Sequence, residues 1–211
     1  MAKFHDSRSE SSDGPRTDDP RTSQILESAS QIFMEKGYAK ASTMEIARRA
    51  RASKHTLYQL YPSKHDLFIA VVNWRMDLVV RDFESVLQPE VSPRLTLMRM
   101  GETVAKLIHD AEHIALEKIV FCELQEFPEM ARTFYRLTNR RTIIQIAVYL
   151  KEQHRRGSLT VSDPDLAADQ VCSLMFGAMK QRRLHGIKPL PRLKELNQME
   201  QSVDLFLRGL R

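Results

Sequence analysis

Basic and hydroxyl side chains are concentrated between Thr43 and Lys64, where their spacing suits contact with a nucleic acid. The stretch reads as two short helices joined by a tight turn. Ser42, with Glu45 three residues later, forms a capping box that starts a helix at about Thr43, and the hydroxyl of Ser53 can cap the next helix. This is the form of a helix-turn-helix, in which the second helix reads DNA.

A different chemistry is suggested by the run His109-Asp110-Ala111-Glu112-His113. On a continuous helix its two imidazoles would share one face, and the carboxylate between them could serve a zinc ion. No third ligand can be identified, and histidines at this spacing usually lie on a helix surface. No phosphate loop or nucleophile motif accompanies the run, so we expect no catalytic residue, metal or cofactor. A helical metal-dependent enzyme or metal-binding protein that uses His109, Glu112 and His113 is the alternative function.

The elements that must position these side chains are all predicted to be helices. Asp19 as N-cap with Pro20 at the first position starts a helix, which Gly37 ends. Tyr61 precedes a proline, so the second helix of the motif should end there. Residues 1–19 are rich in Ser, Asp, Arg and Gly and cannot offset the entropy of ordering, which predicts a disordered N-terminal arm.

Helical periodicity continues to the end of the chain, and no alternating run is long enough for a strand. Further helices are predicted for Ser63 to about Leu87, Leu95 to Ile108, Ile114 to Phe127, Glu129 to Arg156, Asp163 to about Leu184, and Leu193 to Leu210. The predicted fold class is therefore all-α.

The composition predicts a globular protein, with 42% hydrophobic and 28% charged residues. The net charge of +5 is modest, but eight basic and only four acidic side chains lie between Arg21 and Asp66, which favours a polyanionic partner. Cys122 and Cys172 have no metal-like spacing and are interpreted as buried reduced thiols. Without an apolar leader or a membrane-length apolar run, we expect a cytoplasmic protein without membrane contact.

An ordered set of residues runs through the motif and its flanks: Gly37-Tyr38, Ser42-Thr43-Met44-Glu45-Ile46-Ala47, Ala50, Ser53-Lys54, Thr56-Leu57-Tyr58, Ser63-Lys64 and Leu67-Phe68. In order and spacing, over about thirty positions, this set resembles the DNA-binding motif of the TetR family of bacterial transcriptional repressors. The sequence departs from the family at Arg51, Ala52 and His55, where the family usually has Gly, Val and Gly. Without glycine, the turn must place Arg51 at an unfavourable φ or adopt another geometry.

A second ordered set lies in the C-terminal half: Phe127-Pro128-Glu129, Arg132-Thr133-Phe134-Tyr135, Tyr149-Leu150, Gly157-Ser158-Leu159, and residues 163–170. This set looks like the C-terminal domain of AefR-like repressors within the same family. The resemblance implies a DNA-binding helix-turn-helix domain over residues 20–66, extending into a connecting helix to about residue 81. A helical regulatory and dimerisation domain would follow over residues 82–211.

The implied function is that of a transcriptional repressor, not an enzyme. A homodimer would bind a palindromic double-stranded operator, and a small-molecule effector of unknown identity would release it by shifting the connecting helix. Contacts with DNA are expected from Thr43, Ser53, Lys54, His55, Thr56, Tyr58 and Lys64. Lys54, Tyr58 and Lys64 would meet phosphates, whereas His55 and Thr56 would meet base edges. His55 is not part of the family motif and is included because it stands on the turn-proximal face of the second helix.

Apolar residues of the later helices give two further predictions. An effector pocket is predicted from Trp74, Phe121, Cys122, Phe127, Phe134, Tyr135, Met175 and Met179, although core packing would explain each of them as well. A dimer interface on the last two helices is predicted from Leu166, Val171, Leu174, Ala178, Leu196, Met199, Val203 and Phe206. The alternative is that both of these stripes are internal core.

Overall fold

The chain is a bundle of α-helices throughout the residues that the structure describes. A computed structural model describes residues 19–86 and 91–210. The helices are α1 (Pro20–Lys40), α2 (Thr43–Arg49), α3 (Lys54–Leu60), α4 (Lys64–Val86), α5 (Pro93–His109), α6 (Ala111–Cys122), α7 (Pro128–Tyr135), α8 (Arg141–Arg155), α9 (Pro164–Leu184) and α10 (Arg192–Gly209), and a π-helical segment, Arg136–Arg140, joins α7 to α8. No strand occurs within the described ranges, so the predicted all-α class is confirmed. Among these helices, none combines the length and the apolar character that crossing a membrane requires.

Local signals start and end several helices where the sequence predicts. The carboxylate of Asp19 caps α1 by accepting the backbone N–H of Thr22 at 3.2 Å. Asp163 caps α9 in the same way, through the N–H of Leu166 at 3.0 Å. Tyr61, which precedes a proline, has an extended backbone and ends α3. The N-terminal arm predicted over residues 1–19 lies outside the described residues, except for Asp19.

The capping box predicted from Ser42 and Glu45 does not form. Helix α2 begins at Thr43 as predicted, but the side chain of Ser42 makes no capping hydrogen bond. The carboxylate of Glu45 instead accepts a hydrogen bond from the ammonium of Lys36 at 2.6 Å. A charged donor makes a stronger hydrogen bond than a backbone N–H, so the contact with α1 replaces the local one.

Two predicted helix ends differ in detail from the structure. Gly37 has φ 76° and ψ 172° and interrupts α1, which resumes for a last short stretch up to Lys40. Helix α6 ends at Cys122, earlier than the predicted end at Phe127. Phe127 has φ −128° and ψ 63° because the ring of Pro128 disfavours the α conformation in the residue before it, and a turn leads up to this position.

The single helix predicted from Glu129 to Arg156 is divided by the π-helical segment. The hydroxyl of Thr138 donates to the carbonyl of Phe134 at 2.8 Å, and that of Thr142 donates to the carbonyl of Thr138 at 3.4 Å. Hydroxyl groups that bond to carbonyls of the preceding turn compete with the regular backbone ladder. The wider π turn accommodates this competition, and such turns occur frequently at functional sites.

Two hydrophobic cores hold the helices together. The first core contains the buried apolar residues of α1 to α4 together with Leu116, Val120, Met130 and Phe134 of α6 and α7. The second core contains the buried apolar residues of α5, α8, α9 and α10. Because α6 and α7 contribute to the first core, apolar packing crosses the domain boundary predicted near residue 82, and that division of the chain stays a prediction.

The two cysteines lie in different surroundings, whereas the sequence predicts that both are buried. Cys122 is exposed because α6 ends at this residue. Cys172 is partly buried on α9, and burial raises the pKa of its thiol to about 12. The Cys172 thiol is therefore protonated and unreactive at neutral pH.

Candidate nucleic-acid interface

The turn between α2 and α3 sets the direction of α3, the helix predicted to read DNA. Arg51 lies in this turn with φ 51°, and no other non-glycine residue in the described ranges has a positive φ. The next residue, Ala52, donates its N–H to the carbonyl of Ala47 at 2.9 Å, which closes the turn. The predicted unfavourable φ at Arg51 is confirmed, and the left-handed backbone costs about 1 kcal/mol or more for a residue with a Cβ atom.

Helix α3 presents its polar side chains outward because its other side is fixed in the first core. Leu57 is fully buried there. The hydroxyl of Ser53 accepts the N–H of Thr56 at 3.0 Å, so the predicted N-cap is confirmed. Lys54 and His55 follow this cap and are exposed.

Thr43 and Tyr58 connect α2 with α3 on the exposed side of the motif. Their hydroxyl groups lie 2.9 Å apart, within hydrogen-bonding distance. The ammonium of Lys54 lies 5.8 Å from the centre of the Tyr58 ring, which is the range of a cation–π contact. Three of the predicted DNA contacts, Thr43, Lys54 and Tyr58, thus form one surface cluster. Within it, the Tyr58 hydroxyl and the Lys54 ammonium group are held in place.

Arg21 joins this surface, although no local pattern in the sequence indicates it. Its guanidinium donates to the hydroxyl oxygen of Thr56 at 3.2 Å, and this hydroxyl is also 2.8 Å from that of Ser53. Arg21 and Thr56 are 35 positions apart. Only the excess of basic residues in this part of the chain signals a role for Arg21.

The charges around the motif leave a positive surface. Arg49 binds both carboxylate oxygens of Glu35, at 2.6 and 2.9 Å, and this hydrogen bonding lowers the pKa of Glu35. Lys36 binds Glu45 and lowers its pKa in the same way. Within the motif from Thr43 to Lys64, three basic residues are exposed and form no ion pair with a described carboxylate: Arg48, Arg51 and Lys54. A surface of this kind attracts the phosphates of a nucleic acid.

Lys64 differs from the other predicted DNA contacts because its ammonium is already engaged. It donates to the carbonyls of Tyr38, Ala39 and Ala41 at 3.0, 3.1 and 3.4 Å. It also lies 4.7 Å from the centre of the Tyr38 ring. Lys64 therefore ties the start of α4 to the end of α1, and its contact with phosphate stays a prediction.

The continuous helix required by the alternative metal site does not form. Asp110, with φ −65° and ψ 119°, ends α5 and caps α6 by accepting the N–H of His113 at 2.6 Å. The Nε2 atom of His109 lies 2.8 Å from a carboxylate oxygen of Glu195, while Glu112 pairs with an arginine of α4. Within the described ranges there is no group of three or more residues that could hold a metal ion.

The residues predicted to line an effector pocket are dispersed in the structure. Two are exposed at the end of α6: Phe121 and Cys122. Three lie in or against the first core: Trp74, Phe127 and Phe134. Two are buried in the second core: Met175 and Met179. Tyr135 alone among the eight lines the cavity that α5, α8 and α9 enclose.

This α5–α9 cavity has a volume of about 300 Å³ and also borders the π-helical segment and α6. Its apolar walls include Leu107, Ile143 and Phe176. The π-helical segment contributes Thr138 and Asn139, which no pattern in the sequence marks because a π turn has no short-range signature. A concave, mostly apolar cavity with a few polar groups is typical of a small-molecule site.

Polar groups gather at one end of the α5–α9 cavity. The ammonium of Lys180 lies 2.9 Å from Oδ1 of Asn139 and 2.7 Å from a carboxylate oxygen of Glu117. Glu117 is only 3% exposed. Burial and, secondarily, the charge of Lys180 lower the pKa of His113 to about 4, so its imidazole is neutral at pH 7. The cavity thus ends at a partly buried ion pair and an uncharged histidine.

The residues predicted for the dimer interface fall into two groups. Four are buried in the second core of the subunit: Val171, Met199, Val203 and Phe206. Three are exposed on α9: Leu166, Leu174 and Ala178, and Leu196 is partly buried. Helices α9 and α10 pack against each other, so one apolar stripe of each helix lies in the internal core. The alternative interpretation, that these stripes are internal core, therefore applies to the four buried residues.

Two family models match the chain. Residues 25–71 match the model described as bacterial regulatory proteins, tetR family, and residues 95–209 match the AefR-like transcriptional repressor, C-terminal domain. The HTH-type transcriptional regulator YvkB of Bacillus subtilis is 26% identical over 195 residues, which are 90% of this chain and 97% of that protein. Matches to several other curated regulators cover 43% to 52% of those proteins. The chain therefore spans about half the length of these relatives.

Solved structures resemble the chain over most of its length. A TetR-family transcriptional regulator from Mesorhizobium loti has a TM-score of 0.80 and 25% sequence identity, over 90% of this chain and 96% of the other. The flavonoid-responsive regulator FrrA has a TM-score of 0.76 and 26% identity, again over 90% of this chain and 96% of the other. These similarities cover both the helix-turn-helix and the helices that enclose the cavity.

Proposed function

Because the chain belongs to the TetR family of bacterial transcriptional regulators, we propose that it is a repressor that a small-molecule effector releases from its operator. Regulators of this family bind operator DNA, respond to small molecules and function as dimers. The observation that carries the proposal is the exposed cluster of Thr43, Lys54 and Tyr58, with Thr56 and Arg21 beside it. A partner of this kind favours a cytoplasmic location.

The side chains of α3 divide between phosphates and bases. Lys54 and Tyr58 contact phosphates, because their ammonium and hydroxyl groups are held together at the rim of the helix. His55 reaches a base edge in the major groove. The hydroxyl of Thr56 is engaged by Ser53 and Arg21, so Thr56 offers its methyl group, which suits a thymine.

Selection of genomic fragments by the purified protein tests the DNA-binding proposal. We expect a palindromic sequence to be enriched, and a gel shift on it to be weakened by Lys54→Ala. Lys151→Ala, at an exposed lysine of α8, is the matched control and should leave the operator affinity unchanged. Equal losses in the two variants, or the absence of any enriched sequence, would contradict the proposal.

Dimerisation holds two copies of α3 at the separation of two half-sites. Three of the exposed leucines on the last two helices supply a self-complementary apolar surface: Leu166 and Leu174 on α9, and Leu205 on α10. Two helices from each subunit then form a four-helix interface with two-fold symmetry. This symmetry requires a palindromic operator.

A charge placed in this surface tests the dimer. Leu174→Glu should sediment as a folded monomer that has lost operator binding and keeps a weak, salt-sensitive attraction to DNA. Val148→Glu, at an exposed apolar residue of α8, is the control and should remain a dimer. A Leu174→Glu variant that stays dimeric and bound to the operator would rule out this surface.

The α5–α9 cavity is the proposed effector site. Helices α6 and α7 connect it to α1, which packs in the first core with the helix-turn-helix. A carboxylate oxygen of Glu123, just after α6, accepts the N–H of Ala39 at 3.0 Å. The rings of Phe127 and Tyr38 meet edge to face, with centroids 4.9 Å apart. An effector that displaces α6 or α7 therefore moves α1, and with it the separation of the two reading helices. The similarity to FrrA, which is described as flavonoid-responsive, supports a small organic effector.

A further inference from the structure

We propose that the α5–α9 cavity accepts an uncharged, largely apolar molecule that presents a hydrogen-bond acceptor to Lys180 and Asn139, and that it rejects carboxylates. The acceptor would be a carbonyl or hydroxyl oxygen. This inference rests on the proposed function only in taking this cavity as the effector site.

The need for an acceptor follows from the hydrogen-bonding groups at the polar end. An ammonium group can only donate, so Asn139 must turn its carbonyl oxygen toward Lys180, and its NH₂ group remains a donor. Among the described residues, no acceptor is bound to that NH₂ group. Lys180 uses one N–H for Asn139 and one for Glu117, which leaves a third. Both residues line the cavity, so these two donors are available to a ligand oxygen there.

The preference for an uncharged ligand follows from the carboxylate of Glu117. This carboxylate already neutralises the ammonium group of Lys180. One oxygen of Glu117 is buried without any hydrogen-bond partner, so the carboxylate depends on Lys180 for compensation. A ligand carboxylate would place a second anion beside the same ammonium group in a partly buried site, and the neutral His113 supplies no further positive charge.

The elongated shape of the site follows from the length of α9 that lines it. Asp169 and Lys180 both line the cavity, and their positions on the helix are about 16 Å apart at the rise of an α-helix. The walls between them include Phe176 and, from α8, Ile143. An elongated, largely apolar molecule suits this cavity, with its polar oxygen at the Lys180 end and its apolar body along α9.

A matched pair of compounds tests the charge selection. Methyl 2-naphthoate is uncharged and carries a carbonyl oxygen, whereas 2-naphthoate is a carboxylate of nearly the same shape. By calorimetric titration of the free wild-type protein at neutral pH, we expect the ester to bind tighter than the acid by about tenfold or more. We also expect naphthalene, which lacks an acceptor, to bind more weakly than the ester. Equal or tighter binding of the carboxylate, or no binding of the ester at millimolar concentration, would overturn the proposal.

A variant that removes the charge of Glu117 should reverse this preference. In Glu117→Gln, Lys180 keeps a hydrogen-bond partner but loses its counter-charge, so 2-naphthoate should gain affinity by about tenfold or more while the ester changes little. Glu126→Gln, at an exposed carboxylate, is the control and should keep the wild-type order. If Glu117→Gln does not fold, the wild-type comparison of ester and acid decides alone.

Binding to the free protein and release of DNA are separate measurements. An ester that binds in preference to the acid but does not release the operator in a gel shift would leave the charge selection standing and contradict the proposed function. A carboxylate that binds at least as well as the ester would overturn the charge selection, whatever happens to the DNA.

Discussion

The two hydrophobic cores differ in the kind of side chain that fills them. In the first core, aromatic rings touch one another: Phe33, Tyr38, Phe68 and Phe127 lie with centroids 4.9 to 5.9 Å apart. In the second core, methionine side chains pack closely against α5. A Cβ atom added at Gly101 would overlap the Sδ of Met199 and the Cε of Met175. Aromatic pairs have defined geometry, whereas methionine adapts to irregular space.

This difference matches the roles proposed for the two regions, since the first core holds the DNA-reading helix and the second core lies beside the proposed effector site. The first core fixes the position of α3 against α1 and α4, and DNA recognition depends on that position. The second core borders the α5–α9 cavity, which is the proposed effector site. The contrast predicts that substitutions in the first core are costly and that those among the methionines are tolerated.

The largest effect is expected for Phe33→Ala. Phe33 is fully buried and contacts the rings of Tyr38 and Phe68. Loss of this ring leaves a cavity and should lower the free energy of unfolding by about 3–5 kcal/mol, measured by urea denaturation. Met175→Leu, at a buried methionine of the second core, is the counterpart and should cost less than about 1.5 kcal/mol. The contrast between the cores fails if the two costs are equal.

Buried His113, which stacks on Phe134 of the first core, should make the stability of the protein depend on pH. Its pKa is lowered from 6.5 to about 4, so between these values the unfolded chain binds a proton that the folded chain does not. The free energy of unfolding should therefore fall by roughly 3 kcal/mol as the pH falls from 6.5 to 4. His113→Phe keeps an aromatic ring beside Phe134 and should flatten that part of the profile. An unchanged profile in this variant would assign the pH dependence to other groups.

Lys64→Met distinguishes a structural role from a DNA contact. Without the ammonium group, three carbonyls at the end of α1 lose a donor, which should lower the free energy of unfolding by roughly 1.5–3 kcal/mol. If Lys64 also binds a phosphate, the slope of operator affinity against salt concentration should fall by about one. Lys54→Ala is the matched comparison and should change the slope without changing the stability. An unchanged slope in Lys64→Met would remove this residue from the DNA contacts.

Substitution of His55 should affect the choice of DNA sequence and leave the fold intact. His55 is exposed, so His55→Ala should not change the stability. Discrimination at one position of each half-site should relax by about 1–3 kcal/mol, measured by competition between operator variants, while nonspecific binding changes little. Equal losses of specific and nonspecific binding would make His55 a positioning residue.

The smallest effect is expected at Arg51, and it is a gain in stability. Glycine adopts the left-handed backbone without strain, so Arg51→Gly should raise the free energy of unfolding by about 1 kcal/mol over Arg51→Ala, which keeps the strain. Urea denaturation of the two variants gives the difference directly. Equal midpoints would show that the turn tolerates a Cβ atom at no cost.

The helix-turn-helix of α2 and α3 could be predicted closely because the sequence signals for its helix ends and its turn are local. Caps such as Ser53, the proline after Tyr61 and the missing glycine at Arg51 each act within a few residues of the structure they set. The capping box failed for a reason that is not local: Lys36, on another helix, binds Glu45. Arg21 was missed for a similar reason, since it meets Thr56 only in the folded chain.

The cavity could not be predicted in this way because six separate elements line it. An apolar residue in a helical stripe has the same pattern whether it faces a core or a cavity, so Phe134 and Met175 could not be told from Tyr135. The π-helical segment shifts the lining residues by changing the helical period, and no residue type marks that change. The ion pair of Glu117 with Lys180 joins α6 to α9 and is likewise visible only in three dimensions.

The contribution of α6 and α7 to the first core determines when that core can form during synthesis. Helices α1 to α4 leave the ribosome first, but Leu116, Val120, Met130 and Phe134 complete their packing. Until the chain has grown past residue 134, the nascent N-terminal part exposes the apolar surface that these side chains later cover. Synthesis proceeds at about 5–20 residues per second, so this interval lasts for seconds, during which the uncovered apolar surface is open to non-native contacts.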